Sequence, residues 1–300
     1  MGLAGEPGGP RADHDERATG RSDLVGLFGP QSMAWRLDRE AMLLLGAGPR
    51  ALLLQLAHPA VADGVADHSD FRRDPWRRLD GTLRSYLRII YGSSAVARGE
   101  IRRLNAMHRG IVGATYDARD PDLSMWVHAT LVDSTLTTYE RWWKPLHQSE
   151  AERFYQETRP IGRAFGVPEA RLPRDLADFR AYLAQQWSAA GPIRVTDTAR
   201  ELAASILCPP LPAPLGRLPV DPRIYAWTLW PAVSLLPAPV REAYRLPWGL
   251  RERLVSRWLT VAWRAWTPLL PTGFRQMPQA LAADRRVDFG TEAALAPAPR

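Results

Sequence analysis

Apolar residues recur every three or four positions almost without interruption after the first two dozen residues of this chain, and no convincing run alternates apolar with polar. That periodicity confines the chain to an all-α, multi-helix fold, with strands at most incidental. Helix boundaries follow from local punctuation. A first helix is expected over 35–45, ended by Gly46-Ala47-Gly48-Pro49, and a second over 50–66. The second carries Leu52, Leu53, Leu54 and Leu56 with little polar surface, which places it in the middle of the bundle. Asp74-Pro75 reads as an N-cap followed by a first-turn proline, opening a helix that runs to Tyr91 and stops at Gly92. Ser94 caps a helix over 95–115, and Asp120-Pro121 opens one reaching 143. Ser149 and Glu152 form a capping box for a helix through Phe165, closed by Gly166. Further helices are expected at 176–188, 197–207, 241–244 and 250–266. The organisation is therefore a disordered arm at 1–23, a single all-α domain at 24–289 with a proline-rich connector at 209–222, and a loose tail at 290–300.

With 300 residues and 46% hydrophobic content, the chain can bury a large core, which excludes disordered and collagen-like readings. The net charge of +7 suggests a polyanionic partner at first sight. Yet Lys144 is the only lysine beside 38 arginines, and these are spread along every segment among 32 acids. No stripe and no nucleic-acid motif emerges, so no nucleic-acid partner is expected. Cys208, the single cysteine, excludes an internal disulfide and any multi-cysteine metal site. It precedes Pro209-Pro210 with nothing nearby to lower its pKa, and reads as inert. Residues 1–23 lack the apolar segment of a secretory signal, so the expected address is the cytoplasm. The longest uncharged run, 224–240, holds three prolines and is not expected to span a membrane. Trp227, Trp230, Trp248, Trp258, Trp263 and Trp266 crowd the last third of the chain. They suit either ordinary core or a surface facing lipid or a greasy substrate, so peripheral membrane contact stays open.

There is no glycine-rich phosphate loop, no Gly-x-Ser-x-Gly elbow and no His-Glu-x-x-His pair, which leaves the histidines to carry chemistry. Ile101, Leu104, His108, Ile111 and Val112 follow three- and four-residue steps, placing the His108 imidazole on an inward helix face. A buried imidazole needs either a hydrogen-bonding neighbour or a metal such as haem iron, for which one helical histidine suffices. His128, near Met125, Leu131 and Val132, is the runner-up ligand. His58 precedes Pro59 and is expected to bond a carbonyl freed by that proline, while His68 is expected to take its tautomer from Asp70 or Asp74. Arg78 and Thr82, four residues apart, share a helix face; taken alone they read as a surface arginine and a threonine bonded back to its own helix.

Several of these pieces stand in a telling order: the His58-Pro59 stretch through His68-Ser69, Arg78-x-x-x-Thr82, Ile90-Tyr91-Gly92, His108 with Gly113, and Trp126-Val127-His128-Ala129. Over roughly 45–143 the chain resembles the haem oxygenases that include the rubber oxygenases, or latex-clearing proteins, and the fungal MpaB oxygenase. The resemblance implies a globin-like helical core holding haem b, with His108 as proximal iron ligand and Arg78 and Thr82 beside the haem as catalytic and cofactor-binding residues. One departure is that the latex-clearing branch carries a lysine able to close the sixth iron position where this chain has Gly81. Asp63 and Asp67 lie in the neighbourhood of that branch's carboxylate base without a secure match. The implied function is oxygenation of an apolar, unsaturated isoprenoid- or lipid-like substrate with dioxygen. The alternative is a protein of the same fold that binds haem or a hydrophobic ligand without turnover.

Overall fold

The computed structural model describes residues 23–70, 73–209 and 230–295. Most of the expected arm at 1–23 and of the connector at 209–222 therefore lies outside the described residues. In order along the chain the helices are α1 (Met33–Asp38), α2 (Ala41–Leu56), α3 (Pro59–His68), α4 (Pro75–Tyr91), α5 (Ser94–His108), α6 (Pro121–Trp142) and α7 (Gln148–Ala164). They continue with α8 (Leu176–Trp187), α9 (Asp197–Leu207), α10 (Trp230–Ser234), α11 (Ala238–Ala243), α12 (Leu250–Trp266), α13 (Thr272–Arg275) and α14 (Pro278–Leu295). Only two isolated bridges occur among the described residues, Glu40 with Gln276 and Val112 with Asp117. The fold is all-α.

The bundle is built on α2 packed along α6. Leu53, Leu54 and Leu56 of α2 share one core with Trp126, Ala129, Val132, Leu136 and Tyr139 of α6. Both helices are apolar on most of their circumference, so neighbours must cover them on several sides, and α3, α7, α9, α10 and α12 do so. A buried arginine ties the central helices together. Arg50 donates from Nη2 to Asp133 at 2.7 Å, from Nη1 to Ser134 Oγ at 2.9 Å and from Nε to the Leu235 carbonyl at 2.8 Å, tying α2, α6 and the chain after α10. A second, smaller cluster joins Trp35 of α1, Leu87, Ile90 and Tyr91 of α4, and Ala280 and Ala283 of α14. There the Trp35 indole donates to the Ile90 carbonyl at 2.8 Å, and the Tyr91 hydroxyl donates back to the Trp35 carbonyl at 3.0 Å.

Several boundaries differ from those expected. Gly46-Ala47-Gly48-Pro49 does not end a helix; α2 passes through it with Pro49 inside. Pro49 lacks the amide that residue 49 would contribute, and burial against α6 outweighs that single lost bond. The break falls instead at Ala57-His58, where Pro59 takes the first turn of α3. Ser93, not Ser94, caps α5, its side chain accepting from Val96 N at 3.3 Å, and α5 stops at His108 rather than running to 115. Beyond it the chain folds back in the Val112–Asp117 bridge. The α7 box is set two residues earlier, with Glu150 accepting from the His147 amide at 3.0 Å, while Glu152 is engaged by the Leu176 amide at 2.9 Å. Gly166 closes that end in the left-handed conformation, φ 87°. Helix α14 was not expected, and it continues into the segment read as a loose tail.

Candidate functional site

Asp74 does cap α4, accepting from the Arg77 amide at 3.0 Å, and so fixes the register of the turn that carries Arg78 and Thr82. These two side chains meet: the Arg78 guanidinium donates to Thr82 Oγ1, whose hydroxyl bonds back to the Arg78 carbonyl at 3.0 Å. Arg78 is exposed to solvent, yet protein atoms crowd it enough that desolvation lowers its pKa. Gly81, one turn on, has nothing within 4 Å of where a Cβ would stand. That position offers no side chain toward Arg78.

His108 is the last residue of α5 and is half-buried, not fully inward as the periodicity implied, because its helix ends at that residue. Its ring lies 6.3 Å from that of Phe165, the residue that ends α7. Burial lowers the pKa of His108, and the positive charge of Arg78 lowers it further. α4 and α5 pack against one another, so the arginine, threonine and histidine singled out by sequence converge on one region. Phe165 was missed; its place at the closing turn of α7 gave no signal.

His128 has a different setting. It lies wholly inside on α6, and burial pushes its pKa down to about 4. Its Nε2 is buried with no hydrogen-bond partner. The atom faces α7 at Gly162, where a Cβ would stand 3.4 Å from Nε2 and 3.2 Å from Cδ2. A planar group the size of a porphyrin does not fit between the two helices there.

His58 caps α3 without a side-chain cap bond, and its Nδ1 is buried and unpartnered, so the expected bond to a freed carbonyl is not made. A new helix begins at Pro59, and no bent helix is left with a carbonyl to offer. His68 makes an edge-on contact with Tyr116 at 6.0 Å between ring centroids, not the expected pairing with Asp70 or Asp74; Asp70 is held by Arg77 and Asp74 by its capping role. Tyr116 was also missed. It folds back over Gly113 and Gly64, where added Cβ atoms would stand 2.4 Å and 3.4 Å from its ring, and its hydroxyl donates to Asp67 at 2.7 Å. Desolvation and the Asp67 and Asp63 carboxylates push its pKa up to about 12.

The donor chemistry fits a metal-bearing group that a single histidine would hold. Only a neutral imidazole ligates, and both influences on His108 favour that form. A cationic guanidinium close by is a suitable partner for a carboxylate of the cofactor. Among the described residues no cluster of three His, Cys, Asp or Glu side chains could hold a metal ion by itself. A separate cleft of about 460 Å³ lies between α5 and α7, lined by Arg98, Ile101, Asn105, Glu157 and Ile161 among others; none of Arg78, Thr82, His108 and His128 lines it. Among the described residues no helix is long and apolar enough to cross a membrane.

The family model described as ER-bound oxygenase mpaB/B'/Rubber oxygenase, catalytic domain, matches residues 35–266. Two curated relatives, uncharacterized proteins of Mycobacterium bovis and Mycobacterium tuberculosis, are each 26% identical over 232 residues, covering 73% of this chain and 87% of theirs. No solved structure matches.

Proposed function

Because the chain belongs to the mpaB/rubber oxygenase catalytic-domain family, we propose that it is a haem b-dependent oxygenase acting with dioxygen on an apolar, unsaturated substrate. The observation that carries the cofactor reading is His108: a half-buried imidazole at a helix end whose neutral form burial and Arg78 favour. His108 would hold the haem iron, and Arg78 would pair with a propionate or orient a polar ligand beside it. Thr82 holds the guanidinium in place through its hydroxyl, so the pair acts as a positioned donor rather than a free surface charge. When bound, haem supplies the redox chemistry and the protein tunes it through the axial ligand and nearby donors. The closed surroundings of His128 support His108 over it as ligand.

The experiment is the visible absorption spectrum of protein expressed with haem supplied. The expected result is a Soret band that His108→Ala abolishes or shifts strongly and His128→Ala leaves nearly unchanged. Protein without any such band refutes the proposal, and the reversed pattern of variants assigns the ligand to His128. Oxygen uptake with isoprenoids and unsaturated lipids then separates an oxygenase from a carrier of the same fold.

A further inference from the structure

Helix α12 is amphipathic in the unusual sense. Ser256 is its buried residue and Trp263 packs on Trp142 of α6 at 5.4 Å, so that edge faces the core. The opposite edge carries Leu250, Leu254, Trp258 and Val261, spaced by four, four and three residues and therefore aligned in one stripe. All four are exposed, Leu250 by 74% and Trp258 by 68%. Further apolar side chains are exposed nearby: Trp266, the last residue of the helix, by 68%, and Phe274 of α13 by 83%. Solvated monomers seldom leave so contiguous an apolar surface uncovered.

Charge says what covers it. Exposed Arg253, Arg257 and Arg264 run as a row along one flank of the stripe. From 250 to 275 there are five arginines, of which Arg275 pairs with Glu40 at 3.0 Å, and one acid, Glu252, which accepts from the Gly249 amide at 2.8 Å. Antiparallel two-fold packing against a second copy would set one arginine row beside the other, with Glu252 the one carboxylate of 250–275 near them. An anionic lipid surface satisfies both features, the arginines meeting headgroups while leucine and tryptophan side chains enter the headgroup–acyl boundary.

We propose that the face formed by α12 and the segment through Phe274 docks on the surface of an anionic bilayer, lying in the interface without crossing it. The proposal is independent of the cofactor reading. It is tested by flotation of the full chain with vesicles of phosphatidylcholine alone, or with a third of the lipid replaced by phosphatidylglycerol. The chain should float with the anionic vesicles. Leu254→Glu with Trp258→Glu should weaken that binding by about tenfold or more, and Arg253→Gln, Arg257→Gln and Arg264→Gln together should level the two vesicle types. Both variants should keep the wild-type melting temperature, because the altered side chains are exposed. A wild-type chain that does not float overturns the proposal, as does flotation that neither variant changes. A lipid-free dimer dissolved by Leu254→Glu with Trp258→Glu, in a chain that ignores vesicles, assigns the face to a second copy instead.

Discussion

Gly46 of α2 lies against the indole of Trp142 in α6: a Cβ at that position would stand 2.4 Å from Cη2 and from Cζ3, and 2.9 Å from Thr138 Cγ2. The glycine leaves room for that ring, which packs where a Cβ would stand. Gly46→Ala should therefore destabilise the protein although alanine favours helix by about 1 kcal/mol. Ring carbons held in the core cannot retreat, and overpacking of this kind costs about 1–3 kcal/mol or more. Urea unfolding of the two proteins would measure the difference; an equal or raised midpoint for the variant would show that the ring has room to move.

Arg50→Ala should cost about 3–5 kcal/mol, because it strands Asp133, Ser134 Oγ and the Leu235 carbonyl at once. Asp133→Asn, which keeps an acceptor facing the guanidinium, should cost clearly less. Equal losses in denaturant titrations of the two variants would contradict the assignment of three bonds to one arginine.

Acid stability should depend on two buried groups that oppose each other. His128 titrates at about 4 when folded against 6.5 ordinarily, so the unfolded chain binds its proton first and stability falls as pH drops through that window. Asp38, buried and bonded to Tyr86 and Thr135, is raised from 3.8 to about 7, so its contribution is full at low pH and is lost as pH rises toward 7. Asp38→Asn should thus steepen the loss of stability between pH 6.5 and 4, by about 3 kcal/mol in the limit where only His128 titrates. His128→Leu should flatten or reverse it. Melting temperatures across that range, compared with wild type, decide the signs.

Arg78→Gln should raise the pKa of His108 while leaving it below the ordinary histidine value, since burial is the larger cause and the guanidinium the smaller. Imidazole proton shifts followed by NMR against pH, in protein without haem, would report it. An unchanged titration would mean that Arg78 does not sense His108.

Much of the fold was legible because helix starts are local chemistry. Asp74-Pro75 and Asp120-Pro121 open α4 and α6 as their sequences imply, and residues 197–207 and 250–266 match α9 and α12. What was not legible depends on partners distant in sequence. Gly46 and Pro49 look like a stop until Trp142 and the core are present to keep the helix continuous. Glu152 looks like a capping residue until Leu176 claims its carboxylate. The site divides in the same way. The four-residue step from Arg78 to Thr82 is visible in sequence, and the two side chains do meet. That His108 touches Phe165, or that Tyr116 closes on Asp67, follows from where α5 ends and the chain turns back.

The amides of Met33 and Ala34, at the start of α1, are capped by Glu157 of α7 at 2.6 Å and 3.2 Å, and Arg286 of α14 reaches back to the carbonyls of Leu24 and Tyr91 at 2.9 Å and 2.6 Å. A ribosome therefore releases α1, with its local Ser32 cap, long before Glu157 exists to take the Met33 and Ala34 amides, and the Trp35–Tyr91 cluster waits for the last described helix. Contacts of such sequence separation slow folding. The nascent chain spends its synthesis with that cluster uncovered, and a fragment cut after residue 266 would remain in that half-assembled condition.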